Sequence, residues 1–199
     1  MKRFISVLFL MTGLLVAGGA NAAVTITFSE TGNDVVATAT GSYDTTGLSP
    51  TVYTNEQHQG EIDPNPFVWV GALGGTDVYS GINCSGSIGP LSWSTADSNA
   101  GSIIGVALGS FNFLYVPTGT TSGTLTNPTR STFLNKSLAN LGLTPNSTLT
   151  CTWGVNGSLT INVTSLAPSA VPTLSQWAQL MLALMVIGIG WHFHNNRQN

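Results

Sequence analysis

Val24, Ile26 and Phe28 alternate with Thr25, Thr27 and Ser29, and this two-residue rhythm returns in short runs as far as Val163. Alternation sends apolar and polar side chains to opposite faces of a strand, so each run makes a half-buried strand. The turn Glu30-Thr31-Gly32-Asn33-Asp34 leads into a second run, Val35 to Thr40, and the two predict an opening β-hairpin. Further strands are predicted over Phe67–Ala72, Ile88–Trp93, Ser102–Leu108, Asn112–Val116, Gly123–Leu125, Ser147–Trp153 and Ser158–Val163. Short strands separated by Gly, Pro, Asn and Ser predict an all-β, antiparallel β-sandwich of jelly-roll or immunoglobulin-like type. A single turn or short helix is expected over Thr132–Leu141, where Phe133, Leu134, Leu138 and Leu141 precede Gly142. The stretch from Gly41 to Pro66 has few periodic apolar residues and reads as a loop.

Two apolar segments bracket this body. Met1-Lys2-Arg3 gives a positive start, Phe4 to Val16 is almost wholly apolar, and Ala20-Asn21-Ala22 is a small-x-small site. These are the three parts of a secretory signal peptide, so residues 1–22 are expected to be cut away after Ala22 during export. At the other end, Trp177 to Phe193 is apolar apart from Gln179. At the helical rise this run covers about 25 Å, close to the thickness of a hydrocarbon core. Pro172 suits the first turn of a helix, and Trp177 and Trp191 suit the headgroup level. The tail over 169–199 is therefore expected to hold a transmembrane helix at 174–193, which leaves 23–168 as one extracellular domain.

Val171-Pro172-Thr173-Leu174-Ser175-Gln176-Trp177 followed by an apolar run resembles the IPTL-CTERM sorting domain of Gram-negative bacteria. Pro172, Thr173, Leu174 and Trp177 match its signature, while Val171 stands for Ile, Ala178 for Gly, and His192, His194 and Arg197 for its basic cluster. The resemblance implies that an exosortase, a membrane-embedded cysteine protease, recognises Val171, Pro172, Thr173, Leu174 and Trp177 and removes the span. The chain would then be substrate, not enzyme, in that reaction. Pro172 also biases Val171 toward the extended backbone that a protease needs. Within the body, Phe28 to Val36, Leu114-Tyr115-Val116-Pro117 and Cys151-Thr152-Trp153-Gly154 look like parts of small exported proteins with PEP-CTERM-type tails. That likeness implies a surface or matrix location and assigns no catalytic residue.

Charged residues make up only 7% of the chain, far below the roughly 25% of ordinary soluble domains. All eight acids lie in the body with only Arg130 and Lys136 as cations, a net charge of −6 there. Nucleic acid is disfavoured as a partner, because binding it requires Lys and Arg to displace phosphate counterions. Anionic lipid is disfavoured for the same reason. Export places Cys84 and Cys151 in an oxidising compartment, where a disulfide between them is expected. The competing reading, a nucleophilic cysteine, has no neighbouring His in sequence.

Glu56-Gln57-His58-Gln59-Gly60-Glu61-Ile62-Asp63 is the densest polar patch. His58 with Glu56, Glu61 and Asp63 could hold a divalent cation, and Asp63 with Asn65 and Asp77 could offer oxygens to calcium. A solvated loop is the plainer reading, and no cofactor is expected. His58 is the body's single histidine, and no Gly-x-Ser-x-Gly elbow, His-Glu-x-x-His helix or phosphate loop is present. A spatial pair of carboxylates for glycoside hydrolysis stays open, since such pairs are not adjacent in sequence. Trp69 and Trp153 fall within apolar strand patterns and read as core, while Tyr43 and Tyr53 fall in a loop and read as exposed.

The leading expectation is an exported, non-enzymatic protein of the cell surface or exopolysaccharide matrix. The secretion translocon, signal peptidase and an exosortase-type protease are its partners, and the C-terminal helix anchors it transiently in the inner membrane. Two other classes stay open. One is a carbohydrate-binding module or weak glycan hydrolase acting on exopolysaccharide, and the other is a filament or assembly subunit.

Overall fold

The computed structural model describes residues 22–109, 112–165 and 178–187. The expected signal peptide, up to Asn21, and the motif Val171, Pro172, Thr173, Leu174 and Trp177 lie outside the described residues. Two compact units divide the chain after Ser165. In the second unit, residues 178–187 form a helix, α1, with Leu180, Met181, Leu182 and Leu184 exposed. Among the described residues no helix is long and apolar enough to cross a membrane, and both ends of the expected 174–193 span lie outside them.

The described residues of the first unit form strands, turns and irregular connections, with no helix. In chain order its strands are β1 (Ala23–Thr31), β2 (Asp34–Asp44), β3 (Ser49–Pro50), β4 (Glu56–His58), β5 (Glu61–Asp63), β6 (Phe67–Val70), β7 (Gly74–Ser80) and β8 (Asn83–Gly86). They continue as β9 (Ser94–Thr95), β10 (Ser98–Ala100), β11 (Ile104–Ala107), β12 (Phe113–Pro117), β13 (Ser122–Thr124), β14 (Thr129–Phe133), β15 (Thr148–Trp153) and β16 (Gly157–Thr164). One eight-stranded sheet runs β10-β14-β2-β1-β16-β15-β8, with β13 also on β2. The other runs β3-β7-β12-β11-β6-β5-β9, with β4 also on β7. All pairs are antiparallel except β1 with β16, which run parallel from Ala23↔Ser158 to Ser29↔Thr164.

The expected opening hairpin forms, closing at Thr31↔Asp34 around Gly32, whose φ of 66° suits glycine. From the first sheet, Ile26, Phe28, Leu159 and Ile161 point inward; from the second, Val68, Val70, Ile104 and Val116 do so. They share one buried cluster, so the sheets face each other across a common core as a sandwich requires. Ile88, Leu91, Leu138 and Leu141 belong to the same cluster from turns outside the strands. Cys84 and Cys151 sit directly opposite on β8 and β15, Cα atoms 4.0 Å apart, and are joined by the expected disulfide.

Three local expectations are corrected. Thr132–Leu141 is not a helix: Thr132 and Phe133 complete β14, and turns follow. Carboxylates take the amide protons there, Asp97 from Leu134, Asp34 from Asn135 and Glu30 from Leu138, and Asn135 turns to a φ of 53°. These bonds replace the helix ladder, and a single turn remains where Leu141 donates to the Ser137 carbonyl. Ile88–Trp93 is no strand either, because Leu91 takes a φ of 50° to drop its side chain into the core. Gly41–Pro66, expected as loop, carries the end of β2 and the short strands β3, β4 and β5.

Candidate functional site

In Phe67-Val68-Trp69-Val70 every residue is apolar, so both faces of β6 are committed. Val68 and Val70 face the core, and Phe67 and Trp69 turn to the outer side of the second sheet. Register carries that outer face across the sheet in two rows. One holds Glu61, Trp69, Gly105, Tyr115 and Val78, the other Asp63, Phe67, Ala107, Phe113 and Ser80. Gly105 is needed in its row: a Cβ there would run into the Trp69 ring and the Val68 carbonyl. The indole therefore lies against the strand opposite, where glycine leaves room.

Three rings assemble around it. Phe67 stacks on Trp69 at 5.0 Å between centroids, and Tyr115 meets Trp69 edge-on at 5.4 Å. From β4, the His58 ring stacks on Trp69 at 4.3 Å and 9°, and meets Tyr115 edge-on at 5.2 Å. Such offset and edge arrangements add about 0.5–1.5 kcal/mol per pair beyond burial, so they fix the rings' orientations. Trp69 and Tyr115 are only 6% exposed although they face outward, so the outer side of this sheet has its own small core.

Beside the rings opens a cleft of about 600 Å³, within the size range of small-ligand sites. Tyr53, Phe67, Phe113 and Tyr115 supply aromatic wall, and Glu56 and Asn65 supply polar groups. Among the described residues, Glu56 is the one carboxylate on its lining, which includes no Lys, Arg or His. Burial, then the Glu56 charge and Tyr53, push the Tyr115 hydroxyl up to about 12, so it stays protonated at neutral pH. No hydrogen bond to that hydroxyl forms among the described residues. No protein-family model, curated protein or solved structure matches this chain.

His58, Glu56, Glu61 and Asp63 share this region without converging. His58 Nε2 lies 3.5 Å from Glu56 Oε2, Glu61 Oε1 accepts from Trp93 Nε1 at 2.8 Å, and Asp63 Oδ1 accepts from the Asn65 amide at 2.7 Å. Among the described residues no three His, Cys, Asp or Glu gather where they could hold a metal ion. Asp63 and Asp77 stand on β5 and β7, four strand steps apart, roughly 19 Å at the usual inter-strand spacing. Asp77 is occupied with the amides of Asn55 and Gly119.

Of the aromatic residues, Trp153 is in the main core, its Nε1 donating to the Asp44 carbonyl at 2.6 Å, and Tyr53 is exposed. Trp69 is buried as expected, but in the outer cluster. Tyr43, expected at the surface, is buried in the core with its hydroxyl 2.7 Å from Thr120 Oγ1, because β2 runs on through it. Sequence reasoning did not single out Phe67, Phe113 and Tyr115 as a group. Their signal was the doubly apolar runs Phe67–Val70 and Phe113–Val116, which leave no polar face for solvent.

Proposed function

We propose that this chain is an exported, non-enzymatic β-sandwich protein of the cell surface or extracellular matrix. Its leader commits it to the translocon and signal peptidase, and its C-terminal tail holds it transiently in the inner membrane. An exosortase-type protease acting at Val171, Pro172, Thr173, Leu174 and Trp177 then releases or transfers it. The observation that carries this reading is the Cys84–Cys151 disulfide in a body bracketed by a signal-type leader and an apolar tail. Within the sandwich class, the disulfide joins neighbouring strands of one sheet and does not bridge two sheets as in antibody domains, which favours the jelly-roll form.

Cell fractionation and mass spectrometry of the natural host, with and without its sorting protease, test this. The expected result is a chain beginning at Ala23 and lacking the span, recovered outside the inner membrane only when the protease is present. Recovery of the intact tail in the inner membrane of the normal strain would overturn it. A second reading, sugar binding rather than a purely structural role, is favoured by the aromatic cleft. Hydrolysis is not favoured, because Glu56 has no second carboxylate beside it on that lining.

A further inference from the structure

We infer that the cleft between the 53–56 segment and the outer face of the second sheet binds an uncharged sugar ring within a polysaccharide. The inference deepens the surface-protein reading and rests on it for its biological setting, since a matrix is where such chains are met. A pyranose has an apolar face of C–H groups and a rim of hydroxyls, so its site needs flat aromatic wall plus a few fixed polar atoms. Phe67 and Phe113, both partly exposed, and Tyr53, 54% exposed, supply the wall. Phe67 is held by its stack on Trp69, on which His58 also stacks. A wall that is already ordered loses little conformational entropy when a ligand docks.

The polar atoms are equally specific. Tyr115 is 94% buried, lines the cleft, and has a hydroxyl with no partner among the described residues. That hydroxyl is open to the cleft, where a sugar hydroxyl can pair with it both as donor and as acceptor. Glu56 and Asn65 add an acceptor and an amide that can pair with further hydroxyls. Charge sets the ligand class. Among the described residues the lining has one carboxylate and no cation, and the body's two cations lie elsewhere, Arg130 on β14 and Lys136 in the turn after it. A uronic acid, sulfate or phosphate would enter against Glu56 with nothing to neutralise it.

Isothermal titration of the full chain in detergent, disulfide intact, tests the inference. The probes are cellohexaose, maltohexaose, mannohexaose, chitohexaose and, as the anionic arm, hexagalacturonate. At least one uncharged hexasaccharide is expected to bind saturably while hexagalacturonate does not. Tyr115→Phe, which keeps the ring and removes the hydroxyl, should weaken that binding about tenfold, the worth of one buried hydrogen bond. Phe67→Ala should abolish it, and circular dichroism should show both variants folded; if Phe67→Ala unfolds, Phe67→Leu replaces it and should weaken binding at least tenfold. Binding of no uncharged probe, preference for hexagalacturonate, or binding unchanged by Tyr115→Phe and the Phe67 variant would each overturn the inference. These results do not depend on where the protein resides, so a failed fractionation result and a failed titration are separable.

Discussion

On the first sheet, alternation turns Thr40, Thr25, Thr160 and Thr150 outward in one paired row across β2, β1, β16 and β15. On the second, the same rule turns out Trp69 and Tyr115, with Phe67 and Phe113 in the next row. The inner faces of the two sheets are alike in being apolar and buried in one cluster. The outer faces differ because hydroxyls remain hydrated on an open sheet, whereas a row of aromatic rings must be covered. His58 of β4 supplies part of that cover, and a cleft opens beside it. A sandwich needs no second core outside its sheets for stability, which makes the decorated face the place to look for function.

The contrast can be tested by perturbing each side in turn. Replacing both Cys84 and Cys151 by serine, on the hydroxyl-bearing sheet, is expected to cost most. The loop of 67 residues that the bridge closes corresponds to about 4 kcal/mol of unfolding free energy in the chain-entropy model. Urea titration of the oxidised chain and the double variant measures it. On the aromatic sheet, Trp69→Ala should cost about 3 kcal/mol by the same assay, as for a core aromatic, although the residue lies outside the main core. A loss below about 1 kcal/mol would mean the ring assembly is surface decoration only.

Gly105→Ala should cost about 2 kcal/mol, because the new methyl group meets the Trp69 ring and the Val68 carbonyl. The indole fluorescence should shift with it. Alkaline pH should give a smaller loss. Tyr115 is neutral in the fold up to about 12 but ionises near 10 when unfolded, so its contribution is full below pH 10 and is lost as pH rises toward 12. Tyr115→Phe should flatten that part of the stability profile, and ultraviolet titration of tyrosinate should show one late-ionising ring fewer. Smallest of all, Thr160→Ala on the open face should change stability by less than about 0.5 kcal/mol. A loss like that of Trp69→Ala would erase the distinction between the two faces.

Much of the sandwich is readable in the chain itself. Val24, Ile26 and Phe28, or Leu159, Ile161 and Val163, alternate cleanly because one side meets core and the other water. β7, whose sequence is Gly-Gly-Thr-Asp-Val-Tyr-Ser, was not legible: its strand character comes from β12 on one side and β3 and β4 on the other. Leu91 misled in the opposite sense, since an apolar residue can plug a core from a turn. The site was least legible. Which of Val68 and Trp69 faces the core is decided by register with β11, and the stack of His58 on Trp69 joins segments that no local pattern connects.

The parallel pairing of β1 with β16 sets the order in which the domain can be assembled. β2 can close on β1 as soon as both have been made, but the other edge of β1 stays open until β16 arrives, more than a hundred residues later. Through that interval Val24, Ile26 and Phe28 lack half their neighbours, and the free edge can template wrong partners. A chain with this topology completes its central sheet only after nearly the whole body has been synthesised, so that sheet is the last part of the domain to become fully paired.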